Sequence, residues 1–197
     1  MKITSQMVKE LRDKTNAGMM DCKRALGETQ GDLEKAVDLL RQKGLAVAQK
    51  RADRATSEGV VECYIHAGSK LGVMVEVGCE TDFVAKTDGF IAFARDIAMH
   101  IAASSPVAVS REDVPADLIA RETEIYKAQA LDSGKPENIV DKIVSGKVEK
   151  YISEVCLLDQ KFVKNPDLSV QDLLNELIAK MGENISIKRF ARFQIGA

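Results

Sequence analysis

Cys79-Glu80-Thr81-Asp82-Phe83-Val84-Ala85-Lys86 sets a carboxylate beside a large aromatic where an apolar strand runs out. An aromatic on such a loop tip has two uses. It packs back onto its own core, or it stands out as a wedge for a partner, and the segment alone leaves both open. Met19-Met20 is a second candidate contact. Neighbouring residues on a helix point in different directions, so both methionines do not fit one small core. The flexible, polarizable thioether suits an adaptable binding surface as well as core filling.

Covalent chemistry finds little footing. Ser133-Gly134-Lys135 and Ser145-Gly146-Lys147 resemble the end of a phosphate-binding loop. Neither carries the upstream glycine of GxxxxGK, and both fall in helical or helix-end contexts, so they read as turns or helix boundaries. GxSxG, HExxH and a glycine-rich dinucleotide fingerprint are absent from the sequence. His100, between Met99 and Ile101 in an apolar helical stretch, reads as structural. His66, at the end of a hairpin, is open to a structural or a contact role. Cys22, Cys63, Cys79 and Cys156 form no CxxC and have no histidine at ligand spacing. They point to neither zinc nor a disulfide framework, and buried free thiols are expected. No cofactor is expected.

The bulk composition narrows the partner class. Of 197 residues 45% are apolar and 29% charged, enough for a core and too apolar for disorder. A formal charge of −2 argues against a sequence-independent grip on nucleic acid, which needs many unopposed Lys and Arg contacts to phosphate. No apolar run approaches the roughly 20 residues that cross a bilayer. Met1-Lys2-Ile3-Thr4-Ser5-Gln6 lacks the apolar core of a secretory signal. A cytoplasmic location, a protein partner, no direct nucleic acid and no membrane are expected.

The elements that position these residues follow from periodicity. Residues 4–43 read as three short helices: Met7, Val8 and Leu11 recur at helical spacing after a Thr4 or Ser5 cap, and Gly18 precedes the second helix. Asp32 caps the third, with Leu33, Ala36, Val37 and Leu40 on one face and Gly44 as its end. The polar stretch from Gln49 reads as a linker, giving an N-terminal domain over 1–48, a linker over 49–58 and a core over 59–197. Val61, Cys63 and Ile65 alternate with Val60, Glu62 and Tyr64. Gly68-Ser69-Lys70 then turns the chain into Leu71, Val73, Val75 and Val77, a β-hairpin.

Thr87-Asp88 opens a helix through Phe90, Phe93, Ile97 and Ile101, and Ser110 and Asp113 have capping-box spacing. Helical patterns follow at Leu118–Leu131, Glu137–Leu157 and Val170–Met181. Ile185–Ile195 returns to β character as a third strand of an antiparallel sheet. The predicted class is α+β, with packed helices on a three-stranded sheet. Counting by twos along that strand puts Phe190 on one face and Ile185, Ile187, Phe193 and Ile195 on the other.

Arg12-Asp13-Lys14-Thr15-Asn16-Ala17-Gly18-Met19-Met20-Asp21-Cys22-Lys23-Arg24-Ala25-Leu26, the Cys79–Lys86 segment, His66-Ala67-Gly68 and Met181-Gly182-Glu183-Asn184-Ile185 occur in this order. Together they resemble the bacterial elongation factor Ts family over essentially the whole chain. The resemblance implies a ubiquitin-associated-like three-helix bundle at the N-terminus. It also implies binding to elongation factor Tu·GDP, with release of GDP and magnesium and no covalent chemistry. It assigns magnesium dislocation from the partner to Thr81, Asp82, Phe83 and Val84, and partner binding to Leu11, Met19, Met20 and His66. Long members of that family carry two related core halves with packed sheets. A chain with one half implies a homodimer. Two other classes stay in view. A non-catalytic ubiquitin-associated-type interaction module would explain residues 1–44 only, and an enzyme would need a pocket of paired acid–base groups.

Overall fold

The computed structural model describes residues 3–15, 17–133 and 136–196. Thr4 accepts from the Met7 amide and starts α1 (Ser5–Thr15), followed by α2 (Met19–Glu28) and α3 (Leu33–Arg51). Asp32 caps α3 by accepting from the Lys35 amide at 3.1 Å. Val8, Leu11, Cys22, Ala25, Leu26 and Ala36 close the core of this bundle.

α3 does not end at Gly44. It continues to Arg51, and the expected linker shrinks to residues 52–57. A glycine inside a helix costs about 1 kcal/mol relative to alanine. Here it lies against the last helix, where a Cβ at position 44 would meet Ala179 at an ordinary contact distance of 3.7 Å. Beyond it Val47 and Ala48 join the main core. One helix thus belongs to both cores, with Val37 and Leu40 packed in the first and Ala48 buried in the second.

The sheet is antiparallel with order β1 (Glu58–Ile65), β2 (Leu71–Cys79), β5 (Ile185–Gln194). Between β2 and β5 the chain forms α4 (Asp82–Ala85), α5 (Asp88–Ser104), α6 (Ala116–Asp132), α7 (Glu137–Val155), a small ribbon of β3 (Lys161–Phe162) and β4 (Asn165–Ser169), and α8 (Val170–Met181). The α+β class read from the pattern is the class adopted. The β3–β4 ribbon was not anticipated, because two residues are too few to display a period. Ser145-Gly146-Lys147 lies inside α7 and is no phosphate loop. Of the companion tripeptide, Gly134 and Lys135 lie outside the described residues.

The inner face of the sheet carries Val73, Val75, Val77 and Cys79 against Phe90, Phe93, Ile97 and Ile101 of α5 and Leu174, Leu177 and Ile178 of α8. On β5 the register slips between Glu76 and Val77: Glu76 faces Arg189, while Val77 faces Ile187. Lys188 is the extra residue of a β-bulge, which moves all later side chains to the opposite face. Ile185, Ile187 and Phe190 therefore share the core face, opposite Cys79, Val77 and Val75. Phe193 faces away, opposite Gly72. The face assignment made by counting twos is corrected by that one residue.

His100 is structural, as expected. It is completely buried. Its Nδ1 accepts from the Val163 amide at 3.2 Å, which leaves Nε2 to donate to Gln160 Oε1 at 3.0 Å. Burial pushes its pKa below the ordinary value, so it sits neutral at the junction of α5 and the β3–β4 ribbon.

Candidate functional site

β2 delivers the chain to Glu80 and Thr81, and the tip expected as a loop is the single helical turn α4. A turn of four residues is too short to support itself and depends on its ends. Thr81 Oγ1 accepts from the Val84 amide at 3.4 Å as the N-cap. At the other end the Lys86 amide donates to the Asp82 carbonyl. Cys79 Sγ lies 3.1 Å from the Thr81 carbonyl, and burial raises that thiol's pKa, keeping it a donor. Ala85 is buried and Val84 packs on the main core.

This frame decides the open question about Phe83. Its neighbour Val84 satisfies the core, and Phe83 is 80% exposed. The packing alternative is excluded. Lys86 Nζ sits 2.6 Å from Asp82 Oδ2, and that hydrogen bond lowers the Asp82 pKa and raises that of Lys86. An exposed aromatic flanked by a charge pair is thus presented to solvent.

At the far end of the hairpin His66 is exposed, with Nδ1 2.9 Å from the Tyr64 hydroxyl. At roughly 3.3 Å per residue the length of β2 separates it from the α4 turn by roughly 25 Å. Within one chain His66 and Phe83 are therefore not neighbours.

On the N-terminal bundle both Met19 and Met20 are exposed, at 59% and 71%. Leu11 differs. It is fully enclosed among the bundle's core residues and offers no surface, so the direct partner contact expected of it is corrected to support of α2 from within.

A further surface lies on the sheet, whose last strand carries apolar residues on both faces in the sequence. Among the described residues no helix covers the outer face of the sheet, and Val61, Ile65, Met74 and Phe193 are exposed there together with Cys63. Cys22, Cys79 and Cys156 are buried as expected, whereas Cys63 is corrected to exposed. The alternation Val61-Cys63-Ile65 was visible, but the bulge that brings Phe193 to the same face was not.

Between the bundle and α8 runs a cleft of about 310 Å³. Val37, Leu40 and Val47 line it, and Glu176 enters it from α8. Burial raises the Glu176 pKa to about 7, with Asp172 adding to the shift and Arg41 opposing it. Among the described residues no group of three or more His, Cys, Asp or Glu could hold a metal ion, and no helix is long and apolar enough to cross a membrane.

These features leave exposed apolar side chains on a well-braced scaffold. The family model described as elongation factor TS matches residues 1–197, and the chain belongs to that family of translation elongation factors. Among its relatives is elongation factor Ts of Desulfotalea psychrophila, 76% identical over 197 residues and covering 100% of both chains. That of Carboxydothermus hydrogenoformans is 65% identical, covering 98% of this chain and 89% of its own. That of Desulfosudis oleivorans is 63% identical, covering 98% of each.

Proposed function

We propose that the protein is the guanine-nucleotide exchange factor for elongation factor Tu. It binds the GDP complex and promotes loss of GDP and its magnesium ion without making or breaking a covalent bond. The observation that carries this reading is Phe83, held almost fully in solvent by a capped turn whose Ala85 is buried and whose Val84 packs, half-buried, on the core. The side chain enters the partner near the magnesium site. Magnesium demands near-octahedral oxygen coordination, so a small displacement of the groups that shape its shell is costly. Asp82 meets a positive or hydrogen-bonding group beside that site, and Thr81 and Val84 keep the turn in shape. Met19 and Met20, on the ubiquitin-associated-like bundle, hold the nucleotide-binding domain, and His66 adds a separate contact.

Exchange then follows from linkage. If the factor weakens nucleotide binding by some ratio, nucleotide weakens the factor's binding by the same ratio, so GTP entry expels it. The apolar outer sheet face is assigned to a second copy of the chain, giving two sheets stacked about 10 Å apart in a symmetric dimer. Release of fluorescent GDP from elongation factor Tu tests the function. Acceleration proportional to added protein is expected, and an unchanged rate would leave only a passive interaction module.

A further inference from the structure

Thr81 must be an acceptor toward the Val84 amide if it is to cap α4. A hydroxyl has a single proton, and that proton needs somewhere else to go. Glu183 takes it. Its Oε1 lies 2.7 Å from Thr81 Oγ1, and its Oε2 accepts from the Thr81 amide at 3.0 Å. One carboxylate thus uses both oxygens on one residue, in charge-assisted bonds about twice as strong as neutral ones.

Glu183 reaches that position because Gly182 ends α8 at φ +72°, a left-handed conformation that glycine adopts without strain. The clamp is reciprocal. Asn184 donates its amide to Glu80 Oε1 at 2.6 Å, and its side chain donates to the carbonyls of Ala52 at 3.2 Å and Arg54 at 2.7 Å. Arg54 and Arg51 lie against the same Glu80 carboxylate at 3.3 and 3.5 Å. The segment after α8, the end of β2 and the chain leaving α3 are therefore tied at the base of the turn that carries Phe83.

We propose that Glu183 is a positioning residue for exchange: its carboxylate fixes the Thr81 hydroxyl as the cap of α4 and so holds Phe83 in the outward direction. This rests on the reading of Phe83 as the wedge. Without Glu183 the Thr81 hydroxyl turns to other acceptors, its amide loses its partner, and the turn samples conformations in which Phe83 is misplaced. Misplacement of an acting group lowers rate even where the fold survives.

The test is GDP release from elongation factor Tu against factor concentration, with Glu183→Ala, Glu183→Gln, Thr81→Val, the double variant Glu183→Ala/Thr81→Val and Phe83→Ala compared, each with a melting curve. Glu183→Ala is expected to lower the saturating release rate about tenfold. Glu183→Gln, which keeps one acceptor oxygen, falls between it and the unmodified chain. Adding Glu183→Ala to Thr81→Val is expected to cost clearly less than the two single losses combined, because both act through one cap and only the amide bond to Glu183 is left to lose. A purely structural glutamate would give full additivity, or a loss of rate that tracks the melting temperature, and either result overturns the proposal. An inactive Phe83→Ala beside a fully active Glu183→Ala overturns it while leaving the wedge intact. A fully active Phe83→Ala overturns the wedge and this role with it.

Discussion

Two phenylalanines stand in solvent, Phe83 and Phe193, while Phe90, Phe93 and Phe162 are buried. An exposed aromatic forgoes roughly 1.5–3 kcal/mol of burial, so two on one chain call for surfaces that cover them. Glu176 is the opposite case, a carboxyl drawn into the cleft between α3 and α8. Its folded pKa of about 7 lies above the ordinary 4.5. The folded state therefore keeps this proton where the unfolded chain has lost it. The stability tied to it is full below about 4.5 and lost as pH rises through about 7. Glu176→Gln, which resembles the protonated form, is expected to melt a few degrees above the unmodified protein at pH 8 and level with it near pH 4. Melting curves across that range check this, and a lower melting temperature at pH 8 would show Arg41 to be a true ion partner. Nothing in the sequence marked Glu176, because its pKa depends on how closely two helices from distant segments approach.

Among the elements, local capping was the most legible part of the chain. Asp32 and Thr87 cap α3 and α5 by accepting from the third residue on, and Ser169, which the sequence pattern does not single out, caps α8 likewise. Thr81 caps α4 in the same way, but a four-residue turn has no apolar period and in the sequence reads as a loop. Two other misread features depend on distant partners. Gly44 stays helical because α8 packs against it, and the Lys188 bulge exists because β2 sets the register of β5. At this scale the N-terminal bundle is the contact unit to test. Met19 and Met20 are exposed and contribute nothing to its core, so replacing both with serine leaves the fold intact. The replacement weakens binding to nucleotide-free elongation factor Tu by about 1–2 kcal/mol, within the range of interface anchors. Titration calorimetry reads the affinity. An unchanged value would remove α2 from the interface.

Across the whole molecule, both ends of the hairpin carry exposed candidate side chains, Phe83 and His66, and roughly 25 Å of strand lies between them. Among the described residues, the outer face of the same sheet carries an exposed apolar patch beside the Glu76–Arg189 ion pair. It continues from Val61 on β1 through Met74 on β2 to Phe193 on β5. Phe193→Asp is an informative probe because that side chain does not face its own helices. Surface substitutions of this kind usually change stability by less than about 0.5 kcal/mol. The unmodified chain is expected to sediment as a dimer of 21.5 kDa subunits, and the variant as a folded monomer. A variant that stays dimeric would move the subunit contact elsewhere, and an unmodified chain that stays monomeric on concentration would remove it.

The central claim is that Phe83 acts in the partner and does nothing for its own fold, and one paired measurement addresses it. Stopped-flow release of fluorescent GDP from elongation factor Tu is recorded with the unmodified protein and with Phe83→Ala, beside the melting curve of each. The account predicts fast release with the unmodified protein, loss of about 90% or more of that acceleration with the variant, in the range of a hot-spot truncation of about 1.4 kcal/mol or more, and matching melting temperatures. Undiminished release by Phe83→Ala, or a variant that loses activity only because it melts many degrees lower, would contradict it.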